Sequence, residues 1–265
     1  MPHSFMGGDS MEALALYKKR YKVQVRDIDF TGKMKLSSLF LYFQDIAGIH
    51  AENLGMGRAL MEKNNSLWVL ARARVDILRY PKWKEEITIE TWPQEPNRLE
   101  FMRDFYVKDS SGNILAKAVS VWVVIDEKTR RLKRAESIFP MHLSTIKERA
   151  IDCKLGRLKP EGKLNKVYKR KVRYSDIDIN EHLNNAKYVD FIMDAFTIEE
   201  HKKHLVRSIE INYSKEALPG EDISFYTDRS QVDDNIIYME GINEANGELK
   251  FKAQIIFEKN RLMEE

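Results

Sequence analysis

Residues 21–29 read YKVQVRDID, and residues 168–178 read YKRKVRYSDID. With a two-residue gap, the second stretch repeats the Tyr, Lys, Val, Arg, Asp, Ile and Asp of the first. Working outward, Phe40, Phe43 and Asp45 fall opposite Val189, Ile192 and Asp194. A second block follows, in which residues 75–77 (VDI) through 87–89 (ITI) match residues 211–213 (INY) through 223–225 (ISF). A third centres on a turn, DSSG at 109–112 against EANG at 244–247. Three matching blocks in one order indicate a duplicated domain. The 265 residues accommodate two domains of about 150 residues or fewer. The division expected is a first copy over 11–135, a linker over 136–163 and a second copy over 164–265. The linker holds Pro140, Gly156, Pro160 and Gly162, residues that break regular structure.

Each copy reads alike. A short strand (22–25; 169–173) leads through a polar turn to a helix. In the first copy Leu36, Leu39, Phe40, Phe43, Ile46 and Ala47 recur with a period near 3.6 residues, and Gly55 is the expected stop. In the second copy Asn185 is the expected N-cap, before a stripe of Tyr188, Val189, Ile192, Met193 and Phe196. Residues 87–92, 101–107, 116–125, 236–242 and 251–257 alternate with period two and read as strands. Residues 146–151 carry a faint helical signal. A helix followed by strands on short turns, with no later crossover helix, predicts an α+β fold of antiparallel strands curved around one helix per copy.

Composition narrows the class. The chain is 43% hydrophobic and 32% charged, a globular balance. A formal charge of +3 argues against nucleic acid as partner. No apolar run reaches the length of about 18–20 residues that a membrane span needs. The single cysteine, Cys153, makes an internal disulfide impossible and fits a reducing, cytoplasmic setting. Residues 1–10 have neither the cationic start nor the apolar core of a secretory signal; they read as a fraying segment ahead of a second possible start at Met11.

The copies differ where chemistry would sit. After the shared Asp-Ile-Asp, the first continues Phe30-Thr31-Gly32-Lys33 and the second Ile179-Asn180-Glu181-His182. Glu216 falls opposite Tyr80. The second copy thus holds Asp178, Asn180, His182 and Glu216 where the first keeps only the Asp. A calcium loop fails, because its sixth position is Glu181 rather than Gly and its twelfth is Lys187 rather than Glu. Zinc fails as well: Cys153 has no Cys partner, and His201 and His204 sit on a Lys-rich segment expected to end a helix. The residues call for no metal and no cofactor. A carboxylate or His can take a proton from water, an Asn amide can place it, and N–H groups at a helix start can hold an oxyanion. This chemistry fits acyl transfer or hydration without choosing a substrate.

Residues 173–188, RYSDIDINEHLNNAKY, closely resemble the active-site segment of the acyl-acyl carrier protein (acyl-ACP) thioesterases, with their D-x-D-x-N-x-H-x-N-N-x-x-Y pattern. Residues 67–72 (LWVLAR), 81–92 with their closing Thr-Trp, Arg103-Asp104-Phe105, and 120–126 (SVWVVID) followed by Thr129-Arg130-Arg131 resemble the same family. The resemblance runs from about residue 17 to the C-terminus. It implies a tandem (double) hotdog and hydrolysis of the thioester between a fatty acyl chain and acyl carrier protein, which ends chain elongation in fatty acid biosynthesis. It places the family's catalytic Asp, Asn and His on Asp178, Asn180 and His182, and the Glu of its Glu-Cys pair on Glu216. The family's Cys is Ala217 here, so a thiol nucleophile is excluded. Two routes stay open: Glu216, assisted by His182, as general base on water, or Glu216 as nucleophile forming an anhydride. The resemblance also implies an acyl slot in the first copy, for which Leu39, Phe43, Ile46, Trp68 and Leu70 are candidates. It implies an acidic carrier as partner, met by the basic clusters 128–134 and 166–173. An acyl-CoA thioesterase, a hotdog dehydratase and a non-catalytic acyl-thioester binder are the competing readings. Single hotdogs commonly pair; two fused copies can satisfy that pairing internally, and a further homodimer stays open.

Overall fold

A computed structural model describes residues 15–138 and 145–260. The readings of residues 1–10 and of Pro140 lie outside these. Among the described residues the first copy contains β1 (Tyr17–Lys22), α1 (Leu36–Asn53), α2 (Arg58–Lys63), β2 (Ser66–Ile77), β3 (Glu86–Pro93), β4 (Glu100–Asp109) and β5 (Ile114–Asp126). The second contains β6 (Asn165–Lys171), α3 (Asn185–Met193), α4 (Ile198–Lys203), β7 (His204–Tyr213), β8 (Asp222–Asp228), β9 (Ile236–Asn243) and β10 (Leu249–Lys259). All strands belong to one antiparallel sheet in the order β1-β3-β4-β5-β2-β7-β10-β9-β8-β6. The order reads the same from either end once second-copy strands replace their first-copy counterparts. The duplication is therefore a pseudo-dyad in space, and it passes through the β2–β7 pair.

At that pair Arg72, Ala73, Arg74, Val75 and Asp76 face Asn212, Ile211, Glu210, Ile209 and Ser208. Ala73, Val75, Ile209 and Ile211 are buried in one core cluster that draws residues from both copies. The fused copies thus satisfy hotdog pairing within one chain, through backbone ladder and shared core. α1 and α3 pack against each other over this core. The stripe of α1 is inside: Leu36, Leu39, Phe40, Phe43, Ile46 and Ala47 are all buried. Gly55, at φ 70°, ends the helix region by bonding Glu52 O at 2.9 Å, while Met56 N bonds Ala51 O at 2.8 Å. That left-handed position is easily taken only without a Cβ.

Several boundaries differ from the expectation. The first strands lie earlier, at Tyr17–Lys22 and Asn165–Lys171 rather than 22–25 and 169–173. Their sequences are rich in Lys and Arg, and the inward positions are Tyr17, Tyr21 and Tyr168, whose rings pack on the core; aromatics replaced the aliphatic alternation that marks other strands. The N-cap of α3 is Asn184, whose side chain accepts from Ala186 N at 2.8 Å, one residue before Asn185. α3 ends at Met193, short of Phe196. His201 lies in α4, but His204 opens β7.

Residues 146–151 form no helix. Residues 145–163 of the linker are an ordered strap. On β4 and β5 the side chains alternate between faces: Phe105, Val107, Ala116 and Ala118 join the main core, whereas Val119 and Val121 turn the other way and pack with Leu155, Ile151 and Cys153. Trp92 Nε1 and Gln94 Nε2 donate to Glu148 O at 2.9 and 2.8 Å. Fully buried Asp104 accepts from Ala150 N at 2.8 Å and Arg149 Nε at 3.1 Å. Burial pushes the Asp104 carboxyl up from its ordinary value, against the pull of Ala150 N–H and Arg149. Asp104→Ala leaves both donors without their acceptor. We expect a loss of roughly 2–3 kcal/mol, seen as a Tm lowered by roughly 5 °C in a thermal melt. An unchanged Tm would mean that the strap is not anchored there.

Candidate active site

Asp178 and His182 close a tight turn before α3. Asp178 N donates to His182 O at 2.9 Å, and Asp178 Oδ1 accepts from Asn180 N at 2.8 Å. The first copy builds the same turn, with Asp29 N on Lys33 O at 2.8 Å and Asp29 Oδ1 accepting from Thr31 N at 2.8 Å. Asp repeats in both copies because the turn needs a side-chain acceptor two residues before a free N–H. Gly32 holds the left-handed position at φ 75° in the first turn, and Glu181 holds it at φ 63° in the second. The carboxylate of Asp178 is therefore engaged with the backbone of the loop that presents Asn180 and His182.

Glu216 reaches this loop from the segment after β7. Its Oε2 lies 3.5 Å from His182 Nε2 and accepts a hydrogen bond from Arg130 Nη2, across from the first copy. Its Oε1 accepts no hydrogen bond from the described residues. The Glu216 backbone is fixed: Lys250, itself 1% exposed, donates from Nζ to Glu216 O at 3.0 Å while paired with Glu221 and Glu248 at 3.0 and 2.7 Å. Ala217 N donates to Tyr188 Oη at 3.1 Å, and Ala217 O accepts from Leu183 N at 2.9 Å. Ala217 is fully buried and is absent from the cavity wall. A side chain at 217 points into packing, so this fold does not present a cysteine there to a substrate. Cys153 is part of the strap and packs with Val119, Val121 and Leu155, its thiol pushed up by burial.

Asp178, Asn180, His182 and Glu216 line one cavity of about 740 Å³, a volume ordinary for a ligand site. The far wall comes from the first copy: Gly48, Ala51, Trp68, Leu70 and Arg130. An apolar recess of about 150 Å³ adjoins it, sharing Gly48, Ala51 and Trp68 and adding Met56, Phe101 and Trp122. Buried Arg103 forms part of its wall, held by His50 Nδ1 at 2.9 Å and Thr91 Oγ1 at 3.2 Å; burial lowers its pKa to about 10. Of the five candidate apolar residues, Trp68 and Leu70 reach the cavity. Leu39, Phe43 and Ile46 do not, because they occupy the stripe of α1 that closes the core. The recess is lined instead by Gln44, Ala47, Gly48 and Ala51, along a neighbouring face of the same helix.

Among the described residues the first copy does not repeat this polar set: Thr31, Lys33 and Tyr80 stand at the positions of Asn180, His182 and Glu216. Tyr80, opposite Glu216 in the repeat, packs against the shared core and donates from its hydroxyl to Val206 O at 2.8 Å. Burial pushes its pKa well above the usual tyrosine range. Its ring packs against the core where the second copy sets the Glu216 carboxylate on a cavity wall. Sequence reading missed Arg130, Gly48 and Lys250. The Arg lay in a cationic run that reads as surface, and a helix glycine and a lone Lys carry no motif.

The basic clusters divide. In 166–173, Lys166 and Lys169 both pair with Glu244, Lys171 with Asp222, and Arg170 with Asp194 and Asp176. In 128–134, Arg130 and Lys133 are engaged, while Lys128, Arg131 and Arg134 are exposed beside the cavity-lining Glu127 and Arg130.

The fold agrees with comparison to known proteins. The family model for the acyl-ACP thioesterase N-terminal domain matches residues 15–139, and that for the C-terminal domain matches residues 161–259. An oleoyl-acyl carrier protein thioesterase of Arabidopsis thaliana, described as chloroplastic, is 24% identical over 254 residues, covering 89% of this chain and 69% of that protein. A palmitoyl-acyl carrier protein thioesterase of Gossypium hirsutum, also chloroplastic, is 25% identical over 244 residues, covering 87% of this chain and 59% of its own length. A crystal structure of an acyl-ACP thioesterase from Bacteroides thetaiotaomicron superposes with a TM-score of 0.81 at 29% identity, covering 92% of this chain and 98% of the other. The 12:0-ACP thioesterase of Umbellularia californica shares the fold, with a TM-score of 0.78 at 20% identity and coverages of 93% and 98%. With both domain models matched in order and the double hotdog in place, the chain belongs to the acyl-ACP thioesterase family.

Proposed function

We propose that this chain hydrolyses fatty acyl thioesters of acyl carrier protein, releasing free fatty acid. The observation that carries the reading is that Glu216, whose Oε1 accepts no hydrogen bond from the described residues, lines one cavity with His182 and Asn180, and that this cavity shares Gly48, Ala51 and Trp68 with an apolar recess. The first copy supplies the acyl slot around Trp68 and the second the polar chemistry. Water held by Asn180 gives a proton to Glu216 Oε1 as its oxygen adds to the thioester carbonyl carbon. The tetrahedral intermediate then expels the thiolate, which takes that proton back, directly or through His182. In the anhydride route the same Oε1 attacks the carbonyl carbon and the C–S bond breaks as the thiolate leaves; water then opens the anhydride, releasing the fatty acid, restoring the Glu216 carboxylate and leaving a proton for the thiolate. Neither route uses a thiol, in keeping with the buried Ala217. Lys128, Arg131 and Arg134, exposed beside the cavity, are suited to meeting an acidic carrier.

The test is thiol release over a panel of acyl-ACP chain lengths, with matched acyl-CoA substrates and His182→Ala as control. Thiol and free fatty acid should appear in equal amounts, faster from the carrier protein. Faster release from CoA would make the chain an acyl-CoA thioesterase. A hydrated acyl product would make it a dehydratase run in reverse, and binding without thiol release a binder.

A further inference from the structure

The turn after β5 is over-determined. Asp126 Oδ1 accepts from Thr129 N at 2.8 Å and Thr129 Oγ1 at 2.9 Å. Asp126 O accepts from Arg130 N at 2.9 Å, and Asp126 N donates to Arg131 O at 2.8 Å. Lys133 pairs with Asp126 at 3.3 Å and donates to Ser66 Oγ at 2.9 Å, tying the turn to the start of β2. Within this frame Arg130 is held at φ 58°, a left-handed conformation that a residue with a Cβ adopts only when its surroundings impose it. The side chain so presented crosses to the other copy and meets Glu216 Oε2.

Glu216 needs such a partner. Its backbone is pinned by Lys250 and Tyr188, but three side-chain torsions separate that backbone from the carboxylate. The other contact to the carboxylate is His182, at 3.5 Å. Arg130 and His182 both address Oε2, which leaves Oε1 without a hydrogen bond from the described residues on a side chain that lines the cavity.

We propose that Arg130 is a positioning residue for Glu216, so that the site in the second copy is complete only with an arginine from the first. The proposal rests on the reading of Glu216 as base or nucleophile. Arg130 fixes which carboxylate oxygen faces the thioester, and it acts through Glu216 rather than on the substrate.

The experiment is a double-mutant cycle on purified full-length protein: Arg130→Met, Arg130→Lys, Glu216→Gln and Arg130→Met/Glu216→Gln, each with a thermal melt and steady-state thiol release from acyl-ACP. A misplaced catalytic group costs on the order of 10²-fold. Arg130→Met should therefore lose about that much in kcat, with KM within about two-fold. Arg130→Lys should recover part of the loss, and millimolar guanidinium should restore Arg130→Met. In the Glu216→Gln background, removing Arg130 should cost nothing further, because residues acting through one another are non-additive. Full kcat in Arg130→Met beside an inactive Glu216→Gln overturns the proposal alone. So does a loss confined to KM, or an equal loss in both backgrounds. Full turnover in Glu216→Gln overturns the reading of Glu216, and this proposal with it.

Discussion

Glu216→Gln lowers kcat by on the order of 10²-fold or more, the usual loss when a general base is removed, while the fold stays intact. The substitution keeps the shape of the side chain and removes the charge and the proton affinity of Oε1. In the general-base route the amide can still accept a hydrogen bond from water but cannot take its proton. In the anhydride route an amide replaces the attacking carboxylate. The backbone anchors of the 216–217 peptide, Lys250 Nζ donating to Glu216 O and Ala217 N–H donating to Tyr188 Oη, are untouched, so the melting temperature should hold within a degree or two. Single-turnover thiol release separates this from a binding defect. Turnover near that of the unsubstituted protein would sink both routes.

The second large effect is on chain length. Gly48 lies inside α1, where a glycine costs about 1 kcal/mol of helix stability relative to alanine. A Cβ built there meets nothing within 4 Å, because the residue borders both the cavity and the apolar recess. Gly48→Phe places a ring into a recess of about 150 Å³. Acyl chains long enough to enter it should lose on the order of 10²-fold in kcat/KM, since pocket contacts are worth about 1–3 kcal/mol per methylene. Short acyl chains should be cleaved within about two-fold of the unsubstituted rate. Gly48→Ala is the control: it adds helix propensity, raises Tm by about 2–4 °C, and leaves the chain-length profile in place. The readout is a rate panel across acyl-ACP lengths. An unshifted profile in Gly48→Phe would place the acyl chain elsewhere.

The repeat carried most of the architecture in the sequence, since each copy's helix stripe and its strands of period two declare themselves locally. The polar quartet was also readable, because a duplicated chain lets one copy serve as reference for the other: Tyr80 against Glu216 and Lys33 against His182 mark the divergence. What stayed hidden depends on contacts between distant segments. Arg130 and Glu216 are 86 residues apart in sequence, and a charge run gives no sign of which member turns inward. The linker looked loose by composition, yet two acceptors, the buried Asp104 carboxylate on the sheet and Glu148 O on the strap, tie it to the sheet. The acyl-slot candidates on α1 were drawn from its most apolar face, and that face closes the core. The lining came from a small-residue face, where Gly48 and Ala51 leave room rather than fill it.

Among the described residues, joining both copies through β2 and β7 leaves the sheet with two margins, β1 and β6. Such margins offer unpaired N–H and C=O groups to any other extended chain, which is how soluble proteins come to aggregate. Here they read YKKRYK and NKVYKRK. A strand docking on either would have to strip water from several ammonium and guanidinium groups, and a second copy would bring like charge against them. The cations at 166–173, several already matched to Glu244 and Asp222, thus act as a guard against edge-to-edge growth. The same Lys- and Arg-rich composition stands on both margins of the ten-stranded sheet.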